Sequence, residues 1–361
     1  MAASGCRLLA NPVGRSAMLI GAVAGARYWW GLLGDIRQEL RTLQPAVVVP
    51  IDSSAVNLRV ARIARAEGIP VCYYVAPQLW ASRPWRMNTV RAVTDTLCCV
   101  LPFEEGYFGK HGVNAVYVGH PMFDAPADAA DTDPLRLEPP LPGTRAGDEA
   151  PPNAPRVAVF PGSRKGEIAA NLPPMLEVMS EVKGRFPRVS FVGVAPSEER
   201  AWQIRHHLRQ TNTTMDIRIG CTDAVVRWAD LCLTKSGTAT LQIARHHKPM
   251  VVLYAVAAWK WHLAGKYLIN TEYISLVNIL ANRELVPEYV PFYGSPLPVA
   301  REVIELLSKP ELRAAMSKDL AELVKPLMPR GKAASERVAE EVGKLMGKQI
   351  LPKVNTAPGS K

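Results

Sequence analysis

Between residues 156 and 254 one pattern recurs: a short apolar run, a break into small or polar residues, then a helix-like segment. The runs are "RVAVFPGSR" (156–164), "RVSFVGVAP" (188–196), "MDIRIG" (215–220), "DLCLTKSG" (230–237) and "PMVVLY" (249–254). An earlier series, "PAVVVPID" (45–52), "VCYYVAP" (71–77), "TDTLCCVLP" (94–102) and "AVYVGHP" (115–121), has the same character. Strands that read as near-continuous apolar runs are buried on both faces, and intervening helices supply the cover. The expected fold class is therefore α/β, with two parallel, Rossmann-like sheets in one chain.

Residues 125–155 interrupt the alternation. Pro, Ala, Asp and Gly dominate there and no hydrophobic period survives, as expected of a linker. The expected division is 1–124 for a first domain, 125–155 for the linker and 156–325 for a second domain. A C-terminal helix and tail, 326–361, would cross back to the first domain.

With 43 Lys and Arg against 33 Asp and Glu, the net charge is +10, which favours anionic partners. Aromatics are 7% of the 361 residues and no basic-aromatic RNA-binding run occurs, so nucleic acid is not the expected partner. Six cysteines lie mostly in strand-like runs without a CxxC pair, which reads as buried, reduced thiols and not as a zinc site. No stretch reaches the roughly 18 apolar residues of a membrane span. The most apolar, 17–33, carries Arg27 near its middle and lacks the order of a signal peptide, so a cytoplasmic location is expected.

In open parallel sheets, ligands bind beyond the carboxyl ends of the strands. After "RVAVF" come Pro161, Gly162, Ser163 and Arg164; after "DLCLT" come Lys235, Ser236, Gly237 and Thr238. Both are small-residue turns that open a helix. A helix start offers unpaired N–H groups and a partial positive charge, and glycine lets a phosphate approach the backbone. Taken alone, "SGTAT" is an ordinary helix cap. Two such turns on adjacent strands of one sheet, one with Arg164, point to a diphosphate site instead. Gln242, one turn beyond Thr238, either reaches a ribose hydroxyl or lies on a solvated helix face. Neither GxxxxGK[ST] nor GxGxxG occurs.

In the first half, Asp52 ends a strand-like run and Asn57 follows it; each is a candidate for chemistry or for capping the next helix. His120 ends another run and either titrates near neutrality or is a structural histidine. Asn278, in "YISLVNILANRELVPE" (273–288), either caps a helix or binds a uracil or sugar edge. His206, His207, His246 and His247 read as surface residues. Arg59, Arg62 and Arg65 form a basic stripe that faces acidic lipid or water, and the aromatic-basic segment 256–269 suits a membrane interface or a packed helix.

Six segments in order resemble the lipid-A-disaccharide synthase family of GT-B glycosyltransferases. They are "YYVAPQLWASRPWR" (73–86), "LPFEEGYFGKHGVNAVYVGHPMFD" (101–124), "FPGSRKGEI" (160–168), "SGTATLQ" (236–242), "KPMVVLY" (248–254) and "YISLVNILANRELVPE" (273–288). The resemblance implies a GT-B fold, two Rossmann-like domains facing a cleft. It implies an inverting transfer from UDP-2,3-diacylglucosamine to 2,3-diacylglucosamine 1-phosphate, without a cofactor or metal, giving lipid A disaccharide 1-phosphate and UDP. It assigns Gly162, Ser163, Arg164, Ser236, Gly237, Thr238, Gln242 and Asn278 to the UDP-sugar. Asn57, Gln78, Trp80 and Glu104 match on the acceptor side. Lipid substrates further imply work at an anionic membrane surface, on the inner face of the cytoplasmic membrane.

Three departures accompany the resemblance. The family's Gly- and acid-rich loop, similar to GExSGD, does not occur, so an incomplete N-terminal domain is expected. The family's second acid in IDxPDFN is Ala55 here, leaving Asp52 or His120 as catalytic base. The family's Glu after "SGTATL" is Gln242. A relative that binds UDP-sugar or lipid without turnover is the alternative. Another GT-B enzyme, such as a UDP-sugar epimerase, fits the ordered motifs less well.

Overall fold

The computed structural model describes residues 5–8, 10, 22–124, 154–211, 213–255, 271–292, 294–329 and 331–350. The expected linker through residue 153, the 256–269 segment and the tail beyond 350 lie outside the described residues. The chain divides into two compact units: Met1–Leu79, Pro84–Gly119 and Ala334–Lys361 form one, and Trp80–Arg83 with His120–Ala333 the other.

The first unit opens with α1 (Ala22–Leu43) and α2 (Ser54–Ala66). Among the described residues its sheet has three parallel strands, β1 (Cys72–Tyr74), β2 (Thr96–Cys99) and β3 (Ala115–Tyr117), with α3 (Met87–Val93) and α4 (Pro102–Gly109) in the connections. Successive strand residues point to opposite faces. Tyr73, Leu97 and Cys99 bury against Leu58 and Ala61 of α2, Val90 of α3 and Phe108 of α4. Cys72 and Cys98 join Val118 and, from a C-terminal helix spanning Ala334–Ile350, Val338 and Leu345. Helices thus cover both faces, as the unbroken apolar runs require.

The run at 45–52 does not form the full strand expected of it. It makes two isolated parallel bridges, Val48 with Val71 and Ile51 with Tyr74. Pro50 lies between them and has no N–H to give a ladder. Two of the three arginines in the α2 stripe have protein partners: Arg62 donates to Thr89 and Arg65 pairs with Asp95 at 2.6 Å.

Among the described residues the second unit carries six parallel strands: β4 (Arg156–Phe160), β5 (Ser190–Ala195), β6 (Asp216–Ile219), β7 (Leu231–Thr234), β8 (Met250–Ala255) and β9 (Glu288–Phe292). Their order in space is β6-β5-β4-β7-β8-β9. Counted from β4 this is 3-2-1-4-5-6, the doubly wound arrangement in which the winding reverses between the first and fourth strands. The helices are α5 (Lys165–Arg185), α6 (Glu198–Leu208), α7 (Thr222–Trp228), α8 (Thr238–Arg245), α9 (Leu276–Ala281), α10 (Leu297–Ser308) and α11 (Pro310–Val324); the C-terminal Ala334–Ile350 helix is α12.

Ile168, Leu172, Met175, Met179 and Val182 recur at helical spacing and give α5 one apolar face. That face meets Val157 and Val159 of β4, Leu231 and Leu233 of β7, and Val299 and Val303 of α10. Removing the side chain of a fully buried leucine such as Leu172 costs about 2–5 kcal/mol. Strand β9 has no counterpart among the expected apolar runs, and Pro291 lies inside it. It is the outer strand of the sheet, where a missing N–H is tolerated.

Candidate functional site

Strands β4 and β7 are neighbours, and their ends are level, with Phe160 opposite Thr234. Lys235 N–H continues the ladder to Phe160 O at 2.9 Å. The two small-residue turns therefore leave the sheet side by side at the reversal of winding. Together they line one pocket of about 400 Å³. Gly162, Ser163 and Arg164 come from the first turn, Lys235, Gly237 and Thr238 from the second, and Gln242 from the helix that follows.

The first turn needs its glycine. Gly162 has φ +127°, and a Cβ there would lie 2.7 Å from the Cβ of Glu167. Close packing of Glu167 matters because its carboxylate takes the donors at the start of α5. Oε2 accepts from Ser163 N–H at 3.1 Å and, more weakly, Arg164 N–H at 3.4 Å. Oε1 accepts from the Arg164 guanidinium at 2.9 Å and Lys235 Nζ at 3.3 Å. Burial pushes the Glu167 carboxyl up, but Lys235, the Ser163 N–H and Arg164 outweigh it and hold it below the usual carboxylate range. Lys235 Nζ also lies 5.1 Å from the centre of the Tyr254 ring. A carboxylate thus sits among two backbone N–H groups, a guanidinium and an ammonium, donors suited to an oxyanion.

Two of the residues assigned to the donor on resemblance are not among those that line the pocket. Ser236 is buried and donates to Ile274 O at 3.4 Å. Asn278 is fully buried and lies outside the pocket lining. Its Oδ1 accepts from Leu285 N–H and Val286 N–H, both at 2.9 Å, and its Nδ2 donates to Val286 O and Glu288, also at 2.9 Å. Glu288 in turn accepts from Ile274 N–H and Ser275 N–H. Asn278 and Glu288 pin the segment on which Ser236 rests.

In the first unit, Asp52 and Ser53 take left-handed φ values of 53° and 38° just before α2. Asn57 donates to Ile51 O and Asp52 O, and Tyr73 Oη donates to Asp52 O at 2.7 Å, so the backbone of the turn is clamped while the Asp52 residue is exposed. Glu104 is fully buried and accepts from Val100 N–H and Leu101 N–H at the start of α4. Gln78 is exposed, and Trp80 is half-buried within the second unit. His120, also in the second unit, accepts the Met122 N–H on Nδ1 at 3.2 Å and meets Phe123 edge-on. Burial lowers its pKa, with Asp124 opposing.

His246 is not the surface residue that its helical context suggested. Its side chain is 5% exposed and its Nε2 lies 2.7 Å from Asp223 Oδ1. Gln242 Nε2 donates to the same oxygen at 3.2 Å. Lys235 and Glu167 were also absent from the expected set. Their signals were present: a cation at a strand end, and an acid three residues after the Arg164 cap position. Asp223 and His246, 23 residues apart, carry no comparable local signal.

A family model described as lipid-A-disaccharide synthetase matches residues 1–342. The chain is 33% identical to a lipid-A-disaccharide synthase of Syntrophus aciditrophicus over 84% of its own length and 76% of that protein's. It is 35% identical to the lipid-A-disaccharide synthase of Anaeromyxobacter sp. strain K, over 86% of this chain and 78% of the other. Among solved structures, the UDP-GlcNAc 2-epimerase of Neisseria meningitidis bound to UDP-GlcNAc aligns with a TM-score of 0.61 at 11% identity, over 87% of this chain and 81% of that one. That likeness shows the shared fold, GT-B.

Proposed function

The chain belongs to the lipid-A-disaccharide synthase family, and from that premise we propose that its second unit holds a UDP-sugar in the pocket between the Gly162–Arg164 and Lys235–Thr238 turns. It is a glycosyltransferase of lipid A disaccharide synthesis, acting on a UDP-sugar and a lipid acceptor. In the finer reading the donor is UDP-2,3-diacylglucosamine and the acceptor 2,3-diacylglucosamine 1-phosphate. The observation that carries the site is the meeting of two N–H-rich turns, with Arg164 and Lys235, at the winding reversal of one sheet.

The reaction forms a bond from the acceptor 6-oxygen to the anomeric carbon and breaks that carbon's bond to the UDP phosphate. Attack from the opposite face inverts the anomeric centre. Negative charge grows on the departing diphosphate, where N–H groups and fixed cations stabilise it. The hydroxyl proton passes to a base, a contribution of about 10²–10⁴-fold. Asp52 suits that role, being exposed on a clamped turn. His120 suits it less: with Met122 N–H on Nδ1, the neutral ring carries its proton on Nε2 and acts there as a donor. Asn57 and Glu104 act by holding backbone, and Gln78 and Trp80 stay candidates for acceptor contact.

Peripheral attachment to an anionic membrane, at the inner face of the cytoplasmic membrane, is supported by the +10 charge and by Trp30 and Trp85, which are 74% and 63% exposed. Among the described residues, no helix is long and apolar enough to cross a membrane. The decisive experiment measures UDP release with both lipid substrates. Release that depends on the acceptor supports transfer. Binding of the UDP-sugar donor without UDP release supports the second reading, a non-turning relative, for which Ala55 on the first turn of α2 is the specific observation.

A further inference from the structure

Gln242 lines the pocket from α8, and His246 follows four residues later, so both side chains leave the same face of the helix. Both meet Asp223, the second residue of α7, whose first residue, Thr222, also lines the pocket. One oxygen, Asp223 Oδ1, accepts from Gln242 Nε2 at 3.2 Å and from His246 Nε2 at 2.7 Å. The Asp223 and His246 side chains are 6% and 5% exposed.

A carboxylate has no hydrogen to donate. Only the NH₂ end of the Gln242 amide can therefore face Asp223. The carbonyl end, Oε1, is left over, and among the described residues no protein donor reaches it. Gln242 thus brings to the pocket lining a carbonyl acceptor that no protein donor occupies.

We propose that Asp223, anchored by His246, is a positioning and specificity-determining residue that turns the Gln242 carbonyl to the pocket, so that the site selects a ligand donating a hydroxyl there, a ribose in preference to a deoxyribose. The same contact explains why position 242 carries Gln. A glutamate would bring two carboxylates to hydrogen-bond distance, and they could not both stay ionised. This inference rests on the pocket being the UDP site.

The test uses the full chain and calorimetric titration with two probes, UDP and 2′,3′-dideoxyuridine diphosphate. Wild type is expected to prefer UDP by about tenfold or more, since a site built to accept a hydroxyl rejects the analogue lacking it. In Asp223→Asn the neighbouring amide can present either end, Gln242 is free to flip, and the preference falls at least about threefold. Gln242→Glu weakens UDP by about tenfold, and Gln242→Glu with Asp223→Asn restores it to within about threefold, because the new amide can donate to the new carboxylate.

A merely structural role for Asp223 would weaken both probes alike and leave their ratio unchanged, which would overturn the inference. So would a Gln242→Glu protein that binds UDP like wild type, or a double variant that melts normally yet is not restored. Should Asp223→Asn fail to melt cooperatively, His246→Gln supplies the same reading, with a smaller fall in the UDP preference expected and an unchanged ratio against the inference. Failure of wild type to bind UDP removes the site assignment and this inference with it. Wild-type binding with unaltered preference in the variants removes the inference alone.

Discussion

Lys235 Nζ lies 3.3 Å from Glu167 Oε1, an ion pair that joins the turn after β7 to the helix after β4 in the lining of one pocket. Both side chains are largely buried, at 15% and 11% exposure, so the pair is weakly screened. Lys235 is the cation placed to pass from Glu167 to a bound diphosphate. Charge-assisted hydrogen bonds contribute about 1.5–3 kcal/mol. Lys235→Ala is expected to weaken UDP binding by about 10–100-fold in calorimetric titration, and to leave a smaller salt dependence than wild type. Unchanged affinity would move the diphosphate away from this turn.

Glu167 has a folded-state pKa below its ordinary value, so its stabilising effect is full above the ordinary carboxylate range. That effect is lost as pH falls through the lowered folded-state value. Wild type should therefore lose thermal stability as pH drops below about 4.5, part of it through this residue. In Glu167→Gln that part is absent: the variant melts lower than wild type near neutrality, and the gap narrows in acid. Melting curves from neutral to acid pH measure the gap, and a gap constant with pH would count against the pairing.

Asn278→Ala would strand Leu285 N–H, Val286 N–H and Val286 C=O in the interior. Each unpaired buried group costs about 1–3 kcal/mol. The expected loss is on the order of 3–5 kcal/mol, read as a fall in melting temperature of roughly 10 °C. UDP affinity should fall too, because the segment under Ser236 loosens. Loss of affinity with no loss of stability would return Asn278 to direct ligand contact.

Asp52 stands on a turn of the first unit whose carbonyls are held by Asn57 and Tyr73. If it is the base, Asp52→Asn lowers kcat by about 10²–10⁴-fold in the UDP-release assay. UDP affinity stays unchanged, because among the described residues the pocket lining comes from the second unit. A variant that retains wild-type kcat leaves Asp52 without a proton-transfer role.

Much of the second unit was legible along the chain. Apolar runs at 156–160, 190–195, 216–219, 231–234 and 250–255 are strands because they bury both faces, and that burial is written into local composition. The Gly162–Arg164 and Lys235–Thr238 turns were legible for the same reason: a strand end that opens a helix with small residues states its N–H donors locally. Strand β9 was not, since Pro291 argues against a strand unless the strand is known to be outermost, and position in a sheet is a non-local property.

The order of apolar runs and breaks, by itself, determined the class of fold and the two turns able to meet a phosphate, because hydrophobic period and helix-start chemistry are local quantities. Only the tertiary structure decided that Glu167 and Lys235 pair across the ends of β4 and β7, that Asn278 carries backbone, and that Asp223 and His246 stand behind Gln242. Those relations depend on which burial environment each polar group finds once distant segments pack, and a hydrogen bond between residues 19 or 68 positions apart leaves no trace in either neighbourhood.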